Sequence, residues 1–155
     1  MKTGVIIVFK SRIKDIPKDQ LVALFNNAPK IEFCLLHKLN DETINDYLIG
    51  IAEQCENVSF VSIRNNKMNV SSVRAGSRFM HNEFNLKFLG YVIESKRIDL
   101  IQVIETFIEN SEEIALRHNK NTRNKKNKQT FIQRLLSLPE FLNEPNEMAN
   151  DPALI

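Results

Sequence analysis

Tryptophan is absent from this chain, and among its 155 residues there are only 2 cysteines, 4 glycines, 2 tyrosines and 5 prolines. Each shortage excludes something. The two thiols, Cys34 and Cys55, match no zinc or redox spacing, and they fall in a predicted strand and at a predicted helix end. They are read as small buried apolar side chains. With so little glycine there is no phosphate-cradling loop, and the loop Asn65-Asn66-Lys67-Met68-Asn69 contains none. No apolar run approaches the ~20 residues of a membrane span. The apolar stretch after Gly4 is too short, and lacks the cleavage-like region, for a secretory signal. A cytoplasmic home is the expectation, and in that setting the sequons at Asn57 and Asn69 carry no weight. His37, His81 and His118 stand apart from one another, and no His, Cys or carboxylate pair has metal-ligand spacing. Neither metal nor other cofactor is expected.

What is present is the composition of one ordinary globular domain, 43% hydrophobic and 26% charged. The net charge of +2 conceals a segregated pattern. Residues 1–113 hold 14 Lys/Arg against 15 Asp/Glu, residues 114–139 hold 7 bases and no acid, and residues 140–155 hold 4 acids and no base. Such asymmetry points to partners more than the total does.

Apolar runs and helix caps alternate along the chain. Gly4–Phe9 is β-branched and continuous, as in a strand buried on both faces. Lys18–Asn27 carries Leu21, Val22, Leu24 and Phe25 at helical spacing, and Pro29 closes it. Ile31–Leu36 reads as a second strand. Asn40 or Asp41 then caps a helix running to about Gln54, with the acids of its first turn facing the positive end of the helix dipole. Val58–Ile63 is a third strand and Val70–Met80 a helix whose Ala75 and Gly76 permit close packing. Phe84–Ile93 is a fourth strand, and Asp99 caps a long helix with Ile101, Ile104 and Phe107 on its apolar face. Strand–helix alternation implies an α/β domain, with a mostly parallel sheet of about four strands, right-handed crossovers and helices on both faces.

Three segments follow from this: an α/β domain over 1–116, a basic linker over 117–129, and a short amphipathic helix with an acidic tail over 130–155. The helix is placed at Thr130–Leu138, stopped by Pro139. The basic segment lacks the interleaved aromatics of a base-stacking surface, so specific nucleic-acid binding is not expected. Together with the amphipathic helix, 117–138 suits an anionic membrane surface or a protein partner, or else folds back on its own domain.

Ligands of parallel sheets bind beyond the carboxyl ends of the strands, where the strand order reverses. Here that edge comprises the loops after Phe9, Leu36, Ile63 and Ile93, and any pocket is expected there. His37 lies on this edge, either as an exposed loop histidine or as a base or phosphate contact. Asp41 and Glu42 are explained by helix capping. Arg74 and Arg78, four apart on one helix, could grip an anion or simply face solvent.

Several stretches resemble the N-terminal half of the family-2 glycosyltransferases, whose nucleotide-sugar domain has the GT-A fold. Val5–Phe9 resembles that family's first strand. Ile31-Glu32-Phe33-Cys34-Leu35-Leu36 with Asn40-Asp41-Glu42-Thr43 resembles its second strand and acidic turn. Arg64-Asn65-Asn66 and Val70-Ser71-Ser72-Val73-Arg74-Ala75-Gly76 resemble its Asn-rich loop and small-residue helix. Glu83–Leu89 resembles the strand leading to the metal-binding carboxylates. The resemblance covers roughly residues 4–95 and implies a nucleotide or nucleotide-sugar ligand at an edge formed by Ser11, His37, Asn65, Asn66, Arg74 and Tyr91. The departures fall on the chemistry. Where the family has an aspartate pair this chain has Leu36-His37, and where it has Asp-x-Asp this chain has Gly90-Tyr91-Val92. A diphosphate leaving group needs its charge neutralised, and one unit charge pair at about 4 Å contributes about 4 kcal/mol at an effective dielectric of about 20. The resemblance therefore implies a catalytically impaired, shortened relative acting as a binder or accessory in glycan assembly. Two alternatives stand beside it: a metal-independent transferase completed by a partner or oligomer, and a non-enzymatic adaptor with a basic C-terminal arm.

Overall fold

The computed structural model describes residues 2–10, 12–64, 68–123 and 135–143. Its elements follow in the order β1 (Lys2–Val8), α1 (Lys18–Asn26), β2 (Ile31–Lys38), α2 (Glu42–Glu53), β3 (Val58–Ile63), α3 (Val70–Glu83), β4 (Leu86–Ile93), α4 (Leu100–Arg123), β5 (Leu136–Ser137) and α5 (Leu138–Asn143). A single 3-10 turn, Ile13–Asp15, precedes α1. The strands form one parallel sheet in the order β3-β2-β1-β4-β5. That is the order of the doubly wound, Rossmann-like sheets through their fifth strand. The four strands and four helices read from the sequence are all present, and a fifth strand joins them.

Burial follows from position. β1 has neighbours on both sides, and Val5, Ile6, Ile7 and Val8 are fully buried. Alternate side chains enter two cores. Val5, Ile7, Phe33, Leu35, Phe88 and Val92 meet Leu21 and Phe25 of α1, Leu48 and Ile51 of α2, and Ile104 and Phe107 of α4. Ile6, Val8, Cys34, Leu36 and Leu89 meet Val73 and Met80 of α3 on the other face. α3 lies close to the sheet because Gly76 has no side chain: a Cβ there would stand 2.9 Å from Leu36 Cδ1 and 3.1 Å from Ile6 Cγ2. Caps set the helix starts. Asp41 caps α2 by accepting from Ile44 N, Asn69 and Ser72 form a capping box on α3, and Asp99 accepts from Gln102 N at 3.2 Å.

The C-terminal region departs from expectation. α4 runs to Arg123, so residues 117–123 are helical rather than linker. No glycine or proline interrupts it, and Arg117 and Lys120 lie towards the helix end whose dipole favours cations. The helix expected at Thr130–Leu138 is not one where it is described. Residues 130–134 lie outside the described residues, Leu136–Ser137 is a strand paired with Gly90 and Tyr91, and helix starts only at Leu138. Leu136 and Leu138 enter the larger core while Leu135 packs on the opposite one, a period of two rather than 3.6. Pro139 falls in the first turn of α5, where a missing N–H costs nothing, so it opens that helix instead of ending one. Gly90 makes room for the closure: a Cβ there would come 2.7 Å from Leu138 Cδ2. Among the described residues, no helix is long and apolar enough to cross a membrane.

Candidate functional site

The strand order reverses at β1, which pairs with β2 on one side and β4 on the other. Past their carboxyl ends the chain is tied together by backbone. Phe9 N donates to Leu36 O at 2.9 Å, and Glu94 N donates to Val8 O at 2.8 Å. Glu94, only 5% exposed, then accepts from Lys10 N through Oε1 at 2.9 Å. This carboxylate follows β4 directly and sits at the reversal.

His37 occupies the other side of the reversal. It lies within β2 and is 1% exposed, so it is not a loop histidine. Its Nδ1 donates to Phe9 O at 2.7 Å, and its Nε2 faces Asp41 Oδ2 at 3.2 Å. Both ring nitrogens thus face oxygen atoms of the protein itself. Asp41 also accepts from Ile44 N through Oδ1, at a long 3.4 Å. The hydrogen bond from His37, with help from Ile44 N, holds the Asp41 carboxyl below its usual range. His37 therefore links the end of β1 to the start of α2 and is occupied in doing so. Asn45 secures the same turn, its amide donating to Lys38 O at 3.0 Å and Leu39 O at 3.3 Å.

Cations leave the strands flanking the reversal: Lys10 after β1, Lys38 at the end of β2, and Lys96 and Arg97 after β4. Lys10, Lys96 and Arg97 are exposed and Lys38 is half-buried. Among the described residues the ion pairs are Lys2–Glu32, His37–Asp41 and Arg117–Glu113, so none of these four is in a salt bridge there, although Lys38 lies near enough to Asp41 to help hold its carboxyl low. The neighbouring acids Asp41 and Asp99 are engaged as caps and Glu94 by Lys10 N. Asp19 and Glu42 lie in the first turns of α1 and α2, where the helix dipole favours them.

Of the six residues expected at this edge, Ser11, Asn65 and Asn66 lie outside the described residues. His37 is at the edge but buried. Arg74 is exposed on α3, one turn from the helix start and about 200° around the helix from Gly76, which faces the sheet, so it is directed away from the sheet. Tyr91 is not at the strand end. It lies inside β4, two residues before its end at Ile93, in register with Ile6 and Ser137. Gly90 and Val92 beside it are buried, so the Gly90-Tyr91-Val92 segment is mid-strand core rather than strand end. Sequence reasoning passed over Glu94, Lys10, Lys38, Lys96 and Arg97. Each is among the first polar residues after an apolar strand run, and that position was the available signal.

Other candidates resolve simply. Cys34 and Cys55 are free and buried, and burial pushes the Cys34 thiol up to about 12 and the Cys55 thiol upward. Neither suits a nucleophile. Among the described residues, no three His, Cys, Asp or Glu side chains come together as metal ligands would. An open groove of about 440 Å³ lies at the opposite edge, lined by Lys2, Asn26, Glu32, Gln54 and Asn57. It sits at the amino ends of β1 and β2, not at the edge where a pocket was expected. Three of its polar side chains are taken: Lys2 Nζ meets Glu32 Oε1 at 2.7 Å, and the Asn57 amide donates to Phe25 O, Ala28 O and Ile31 O at 2.8–2.9 Å, while the exposed Glu56 also lines it.

No family model matches this chain, and neither a curated protein nor a solved structure matches it. The functional reading therefore stands on the fold and on this edge.

Proposed function

We propose that this protein binds an anionic nucleotide, as a nucleotide or nucleotide sugar, at the carboxyl edge of its sheet, and does so as a glycosyltransferase-like accessory of glycan assembly. The observation that carries the reading is the set of Lys10, Lys38, Lys96 and Arg97 around the reversal in strand order, none of them in a salt bridge among the described residues. An open α/β sheet takes its ligands at that place. Phosphates meet ammonium and guanidinium groups there without a divalent ion as intermediary. Gly90 and Val92, at the places where the resembled family carries aspartates, have no ligating side chain, and Leu138 fills the space over Gly90. Sugar transfer assisted by a metal on β4 is accordingly not part of the proposal.

Leu135 and Leu136 pack against the two cores, which takes from the adaptor reading two of the apolar side chains a bilayer contact would use. Isothermal titration with UDP, GDP and their sugars, with Mn²⁺ and with EDTA, tests the proposal. Binding that survives EDTA and weakens with added salt is expected. Absence of binding to every nucleotide, or binding that requires Mn²⁺, would reject it.

A further inference from the structure

We propose that the outer edge of β3 pairs with the same edge of a second copy of this chain, joining two sheets into one. β3 ends the sheet, and among the described residues no strand pairs with its outer side. Its inner side is fixed: Phe33 N donates to Asn57 O and Leu39 N to Ile63 O, with Ser59 and Val61 at the intervening odd positions. A parallel ladder uses alternate residues, so the N–H and C=O groups of Val58, Phe60 and Ser62 point outward. An edge of this kind is a template for another strand, and proteins blunt such edges with charge, proline or brevity. β5, at the opposite edge, is only two residues long. β3 has six residues, Val-Ser-Phe-Val-Ser-Ile, with neither charge nor proline, and five of them are only partly buried.

Symmetry selects the partner and the register. Two identical strands paired antiparallel about a two-fold axis normal to the sheet keep their faces aligned. The outward groups are all used when Phe60 lies opposite Phe60 of the other copy and Val58 lies opposite Ser62, giving about six backbone hydrogen bonds. In the same register Glu56, in the turn that leads into β3, comes to the same end of the joint as Arg64 of the other copy. Both are exposed, and they flank β3 at equal distance from Phe60. Each end of the joint thus receives an ion pair of opposite charges. A register centred on Val61 would set Arg64 against Val58 and forfeit both pairs. The half-buried Phe60 rings, on the α2 face, cover one another across the axis. A second copy supplies the complementary charge at both ends without further assumption, and the pairing requires nothing of the nucleotide reading.

Sedimentation velocity on the full chain over a concentration series provides the test. The wild type is expected to be a dimer. Ser62→Pro removes an outward N–H without touching the ladder to β2 and is expected to give a folded monomer. Glu56→Arg, a surface change that keeps the test open if Ser62→Pro fails to fold, sets like charges together at both ends and is expected to weaken the dimer about tenfold. The exchange Glu56→Arg with Arg64→Glu is expected to restore it. A wild type that stays monomeric at every concentration overturns the proposal, even if β3 captures a strand of some other protein. So does a dimer that is indifferent to Ser62→Pro in its folded form, or an exchange that fails to restore what Glu56→Arg lost.

Discussion

At the amino ends of β1 and β2, Lys2 meets Glu32 at 2.7 Å and the Asn57 amide serves three carbonyl oxygens, while at the carboxyl ends Lys10, Lys38, Lys96 and Arg97 are in no salt bridge among the described residues. Both ends are polar, and the amino end even has the open groove of about 440 Å³. The difference lies in what the polar groups already do. Donors satisfied by the protein's own acceptors hold the fold, and a ligand gains little by competing with them. Cations left in solvent retain their charge for an incoming phosphate. A cavity by itself is therefore a poorer guide to function here than an unspent charge at a strand reversal.

Substitutions at the two ends and between them should separate these roles. The largest effect is expected mid-strand. Gly90→Asp, which would copy the first aspartate of the resembled family, forces a buried carboxylate against Leu138 and should cost about 3–5 kcal/mol of stability without creating Mn²⁺ affinity, as read by urea unfolding and by metal titration. At the amino end, Asn57→Ala removes an amide shared by three carbonyls, of which Phe25 O keeps Ala28 N and Ala28 O keeps Ile31 N, and should cost about 1–2 kcal/mol in the same unfolding experiment, with nucleotide affinity unchanged. At the carboxyl end the pattern should invert. Lys10→Ala combined with Lys96→Ala is expected to lower nucleotide affinity about tenfold while stability shifts by less than about 0.5 kcal/mol. If the double variant lost stability and kept its affinity, the contrast between the two ends would collapse.

The smallest effect concerns Asp41. Its folded carboxyl is held below the ordinary value of 3.8 by His37, so the stability it contributes is present above that value and is lost as pH falls through the lower folded one. Asp41→Asn should flatten that acid limb in thermal melts between pH 2 and 5, and at neutral pH it should cost up to about 1 kcal/mol.

Much of the fold was legible because the deciding signals are local. Continuous β-branched runs marked β1 and β2, Asp41 and Asp99 marked the starts of their helices, and Gly76 marked the close approach of α3. The fifth strand was not legible. Phe131-Ile132 and Leu135-Leu136 fit a helical stripe as well as Leu136-Ser137-Leu138 fits a strand, and only contact with Gly90 and Tyr91 decides. The edge itself was legible from strand–helix alternation, whereas its occupants were less so. Arg74 depends on the rotation of α3 about its axis, which a weak apolar stripe does not fix. Tyr91 was placed by a family pattern that ends the strand before the Ile93 that its own apolar run marks, and Glu94 stood unread as the first residue past that run. His37 looked exposed because it follows the last apolar residue of its strand, yet the carbonyl of Phe9 and the cap of α2 close over it.

The most direct measurement is an amide chemical-shift titration of ¹⁵N-labelled protein with UDP in EDTA. The shifts are expected to concentrate at Lys10, Lys38 and Glu94–Arg97 and to fade as salt is raised, leaving Gln54 and Asn57 unmoved. Shifts centred on the amino-end groove, or shifts at the carboxyl edge that appear only once Mn²⁺ replaces EDTA, would contradict it.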